Sequence, residues 1–158
     1  MSPAPKRELA EMRDRLVREV ERVVSATDGL TAEQLAWTPT AKDANSLIVL
    51  AAHTVGAAER HILVRIADRK PGRTREEEFA DAGDIAGIRK RWNDVKRGIV
   101  DVLDNLPPGR LDEDLVGPVS TSSVQAMIVH SIAHAAEHAG QAELTRDLLK
   151  ERGNRKQE

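Results

Sequence analysis

The stretch Met127–Leu149, MIVHSIAHAAEHAGQAELTRDLL, decides the fold. It places His130, His134 and His138 four residues apart, and side chains at that spacing stack on one face of an α-helix. Val124, Met127, Ala135, Ala142 and Leu149 mark the apolar face. His134 and His138 fall on or beside that face, and His130 lies toward its edge. Ser122-Ser-Val-Gln125 reads as a capping box. The spacing predicts one long helix from there to about Arg152, followed by a polar tail that frays.

Working outward, three more helices carry the same period. Leu9, Met12, Leu16, Val20 and Val23 predict a first helix from about Lys6 to about Ala26, stopped by Asp28-Gly29. Thr31-Ala-Glu-Gln34 is a capping box for a short turn near Trp37, closed by Pro39. Asn45-Ser46 caps a second helix carrying Leu47, Leu50, Ala51, Val55, Ala58, Ile62 and Ile66, to about Arg69. A third runs from about Asp84 through Ile85, Ile88, Trp92, Val95, Ile99, Val102 and Leu103 to Pro107-Pro108-Gly109. Between the second and third lies RTREEEFADAG, a charged connector with no clear period and long for a bundle. A further connector, RLDEDLVGPVS, precedes the last helix. No segment alternates as a strand would.

Four such helices predict an all-α, single-domain four-helix bundle over residues 1–158. The long crossover between helices two and three lets them run parallel, giving up-down-down-up order. In that order helices two and four are antiparallel. His53 lies roughly 21 Å from the end of helix two, and His134 and His138 roughly 18 and 24 Å from the start of helix four. The three fall level. His61, eight residues beyond His53, is rotated by roughly 80° and reads as a boundary or surface histidine.

Composition excludes several classes. A net charge of −2 with interspersed signs leaves no basic face for nucleic acid. Two Trp, one Phe and no Tyr make a poor base-stacking platform. The absence of cysteine removes disulfides, thiolate nucleophiles and Cys-ligated zinc. The longest apolar run, Leu47–Ala52, is far short of a bilayer span, and no secretory h-region opens the chain. The expectation is a cytoplasmic protein without membrane or nucleic-acid partners.

The bland alternative for these histidines is a set of core or boundary imidazoles, each held by a local hydrogen bond. Against it, no tyrosine exists to partner them. Ala133, Ala135, Ala136, Ala139 and Gly140 leave room between helices. An i, i+4 pair of histidines plus a third from another helix is a common way to hold a divalent metal. His134-Ala-Ala-Glu-His138 also matches the inverted zinc-protease motif. Glu137, however, points about 100° from His138, and only twenty residues follow to supply a third ligand. A solvated or supporting carboxylate is the better reading of Glu137.

His134-Ala-Ala-Glu-His138-Ala-Gly140-Gln141 resembles the C-terminal H-x-x-x-H-x-G-Q signature of the DinB/YfiT-like superfamily. Leu35-Ala-Trp37-Thr-Pro39, Asn45-Ser46 and His53 resemble its second-helix region. The resemblance implies an up-down-down-up bundle, often homodimeric, with zinc or nickel held by His53, His134 and His138. A frame H-x-x-x-E/H-x-x-x-H, beginning at His130, resembles an actinobacterial-type branch and makes His130 the competitor of His134. The superfamily includes thiol S-transferases using bacillithiol or mycothiol. That implies a low-molecular-weight thiol co-substrate and an electrophilic small molecule, with His130 as the candidate catalytic proton acceptor. A metal-dependent hydrolase and a non-catalytic, metal-binding, stress-associated protein are the alternatives.

Overall fold

The structure, a computed structural model, describes residues 3–117 and 120–155. Helix α1 spans Pro3–Ser25. Its stripe of Leu9, Leu16, Val20 and Val23 is buried, as an apolar repeat near 3.6 residues requires. Helix α2 (Ala32–Ala36) starts at the expected capping box: the Thr31 hydroxyl accepts from the Gln34 N–H and the Gln34 side chain accepts from the Thr31 N–H. Helix α3 (Leu47–Ala58) is capped by Ser46, whose hydroxyl accepts from the Val49 N–H.

The ladder then changes. Glu59–Val64 form a π-helical turn, in which the Arg65 N–H donates to the Arg60 carbonyl at 2.9 Å. Leu47–Val64 is, among the described residues, the one helical stretch long and apolar enough to cross a membrane. Its composition has another explanation, because 67% of it is buried inside the fold.

The connector between the second and third long helices is not featureless. Helix α4 (Arg75–Ala80) sits within it, started by a capping box between Thr74 and Glu77. Helix α5 (Ile85–Asp104) begins at Asp84, whose carboxylate accepts from the Gly87 N–H at 2.7 Å. A 3₁₀ turn, Pro108–Asp112, leads to a small antiparallel hairpin, β1 (Asp114–Val116) and β2 (Thr121–Ser123), with Leu115 opposite Ser122. Strands of three residues are too short to display an alternating pattern, which is why none is visible in the sequence. Helix α6 (Val124–Arg155) follows directly. The expected capping box is displaced: Ser122 belongs to β2, and Ser123 accepts from the Ala126 N–H at 3.1 Å.

Helices α1, α3, α5 and α6 share one core, built from residues such as Leu16, Leu50, Val55, Ile99, Ile128 and Ala139. Truncating a fully buried member such as Leu16 or Ile99 to Ala costs about 2–5 kcal/mol. Helix α1 packs on α6, α5 and α3, and α3 packs on α6 and α5. Ion pairs link α1 and the turn after it to α5: Arg13 with Asp104, Glu21 with Lys96, and Asp28 with Arg89. One number rises as the other falls. Between α1 and α6, Arg22 meets Glu143. Such exposed pairs contribute about 0–1 kcal/mol each, so the buried stripes hold the arrangement.

Candidate metal centre

His53 comes from the middle of α3, and His134 and His138 from successive turns of α6. Their packing brings three ring nitrogens together. His53 Nε2 lies 3.2 Å from His134 Nε2, which lies 3.2 Å from His138 Nε2. All three lie within 4.8 Å of one another, so the group could hold a metal ion. Zinc–imidazole bonds of about 2.0–2.1 Å in a tetrahedral site separate ligand nitrogens by about 3.3–3.4 Å. The spacing fits a common ion closely.

The other ring nitrogens define how each imidazole is presented. His138 Nδ1 lies 2.7 Å from Gln141 Oε1. An amide oxygen only accepts, so Nδ1 carries the hydrogen and the Nε2 lone pair faces the cluster. His53 Nδ1 is buried and faces Glu78 Oε2 at 3.8 Å. Burial, followed by the neighbouring imidazoles, pushes the His134 pKa down to about 3. His138 is also lowered, chiefly by burial. Both imidazoles therefore stay neutral and able to donate a lone pair near pH 7, the form that ligates metals.

An open pocket of about 690 Å³ surrounds the cluster. All five histidines line it, together with Ala57, Arg60, Arg75, Phe79 and Glu137. His130 is exposed at its rim, with its ring centroid 6.2 Å from that of His134 and 4.9 Å from that of His61. Arg75 stacks over Phe79, with the guanidinium carbon 4.6 Å from the ring centre. Glu137 is exposed and lines the same opening.

His61 departs from expectation. It is half-buried in this pocket rather than turned away, and its ring centroid is 5.7 Å from that of His134. The π turn supplies the reason. An i→i+5 bond takes one more residue into the turn, so the rotation between His53 and His61 falls below that of a regular α-helix. Burial, then His130, pushes the His61 pKa down to about 4.

Two further residues were missed from sequence alone. Gln141 stands in the H-x-G-Q stretch, and its contact with His138 is the i, i+3 neighbourhood that helix geometry makes available. Glu78 enters from α4, fully buried, with Oε1 accepting from Arg60 at 2.9 Å and Arg91 at 3.0 Å. Burial pushes its pKa up, but His53 and the two guanidiniums outweigh this and hold the carboxyl below its ordinary value. Thr74-x-x-Glu77 was the visible signal that a helix starts there.

A mostly helical protein with three imidazoles converged on one point is the class these observations define. The chain belongs to the DinB superfamily, whose family model matches residues 9–142. That match spans His53, His134, His138 and Gln141. No curated protein matches the chain significantly.

Proposed function

We propose that this protein is a divalent-metal-dependent enzyme that joins a low-molecular-weight thiol to an electrophilic small molecule. The convergence of three Nε2 atoms, with that of His134 3.2 Å from each of the other two, carries the reading. His53, His134 and His138 would hold zinc or nickel, and their neutral nitrogen donors suit either ion. Three protein ligands leave further positions open, the pattern of catalytic rather than structural sites. Bound there, the ion would supply the positive charge that favours thiolate over thiol.

The chain's own residues would do the rest. His130 accepts the thiol proton on a ring nitrogen, reached from the same pocket. Sulfur then bonds to carbon as a carbon–chlorine or epoxide carbon–oxygen bond breaks. Chloride leaves as such and the exposed His130 releases the proton to solvent; an opened epoxide takes the proton back from His130. Ala57 and Phe79 offer an apolar wall for the electrophile.

Two supporting proposals accompany this reading. The long helices form an up-down-down-up four-helix bundle, favoured by the opposed numbering of the α1–α5 ion pairs and by His53 lying level with His134. A second copy of the chain covers the outer side of α6, where Val129, Ala133, Gly140, Leu144 and Leu148 are exposed. The enzymatic test is turnover of a chlorinated or epoxide substrate with a thiol, abolished by chelator and restored by zinc or nickel. Absence of turnover across a broad panel, with metal bound, would leave metal binding without this chemistry.

A further inference from the structure

Among the described residues, the buried face of His53 brings together two buried polar atoms that lack partners. His53 Nδ1 and Glu78 Oε2 are both buried, and neither has a hydrogen-bond partner. They face each other across 3.8 Å. Burying an unpaired carboxylate oxygen and an unpaired ring nitrogen is costly, and each is the natural partner of the other. A closure of about 1 Å would make a charge-assisted bond of about 2.7–2.9 Å.

Much of the surroundings holds Glu78 in this place. Its other oxygen is gripped by Arg60 from the π turn and by Arg91 from α5. Arg91 in turn pairs with Glu59, so the four charges sum to zero. The backbone of α3 makes room as well. A Cβ on Gly56 would fall 1.6 Å from Glu78 Oε1. Any side chain at residue 56 would therefore expel the carboxylate. Helix α4, capped at Thr74, carries Glu78 into this slot from the connector.

We propose that Glu78 is a positioning residue for the metal centre, accepting a hydrogen bond from His53 Nδ1–H and so turning the His53 Nε2 lone pair toward the ion. Because the local charges already cancel, its role is to fix the tautomer and ring angle of His53 rather than to offset the ion's charge. Gln141 plays the equivalent part for His138 with a neutral oxygen. The carboxylate makes His53 the more basic donor, as partners of metal-bound imidazoles commonly do.

This inference rests on the metal-centre reading, and the test separates the two. Zinc affinity is measured by competition with a chromophoric chelator for wild type, Glu78→Gln and Gly56→Ala. Glu78→Gln should bind about 10–100-fold more weakly, with Gly56→Ala weakened in the same direction. Because either variant could fail to fold, the zinc-loaded wild type is also examined by long-range proton–nitrogen NMR. His53 should carry its hydrogen on Nδ1, with that proton shifted downfield by the carboxylate. Wild-type affinity in a folded Glu78→Gln, or a hydrogen on His53 Nε2, overturns the role of Glu78 while leaving the metal centre intact. Failure of the wild type to bind zinc or nickel overturns both.

Discussion

His53 Nε2 and His134 Nε2, 81 residues apart in the chain, lie 3.2 Å from each other. Two neutral imidazoles at that distance with both lone pairs inward repel. The contact is relieved when one nitrogen carries a hydrogen, or when a cation sits between them. The His138 Nε2 lone pair, turned inward by Gln141, points the same way. With three donors converging on one point, a cation there would satisfy them all.

Metal binding should therefore stabilise the fold. An ion at 100 times its dissociation constant adds about 2.7 kcal/mol, which for a chain of this size raises the melting temperature by about 5–10 °C. The comparison is chelator-treated protein with and without added zinc, by scanning calorimetry. His134→Ala should lose the increment. If the variant keeps it, His134 is not a ligand, and His130 is the residue to test next.

His130 sits beside the cluster and not within its converged nitrogens. His130→Ala should keep full metal content yet lose about 10²–10⁴-fold in turnover, the range for removal of a general base. Steady-state kinetics alongside elemental analysis reads both. Loss of metal in this variant would move His130 into the ligand set.

The metal-free protein should weaken in mild acid. His61 titrates at about 4 and His134 at about 3 in the fold, against about 6.5 when unfolded. The unfolded chain therefore binds protons first as pH falls, and stability drops from about pH 6.5 toward 4. Above that window both states are neutral and these groups contribute no slope. Chemical denaturation across pH 7 to 4.5 measures this, and His61→Gln should flatten the curve. An unchanged slope in that variant would contradict the buried, neutral state of His61.

The outer side of α6 predicts a dimer. Leu144 is 62% exposed and Val129 53%, and Gly140 between them has open space where a Cβ would stand. Light scattering should give twice the chain mass for wild type and a single mass for Val129→Asp with Leu144→Glu. A monomeric wild type would remove this proposal without touching the metal site.

The long helices were legible because their buried stripes repeat at the helical period: Leu16, Val20 and Val23 in α1, and Ile88, Trp92, Val95 and Ile99 in α5. The level of His53 with His134 and His138 followed from helix rise combined with the antiparallel order that the long connector suggests. What sequence did not reveal depends on breaks in that regularity or on distant neighbours. The π turn re-aims His61, and a fixed rotation per residue cannot anticipate it. Glu76, Glu77 and Glu78 are chemically identical in the chain. Only Arg60, Arg91 and the space over Gly56 decide that Glu78 is the buried one. The hairpin pairs three residues with three, too few to leave a pattern.

Elemental analysis of purified protein, wild type beside His53→Ala, tests the central claim most directly. The account predicts one divalent ion, zinc or nickel, per wild-type chain and little or none in the variant at matched folded content. Full metal content in a folded His53→Ala, or none in wild type after supply of both ions, would contradict it.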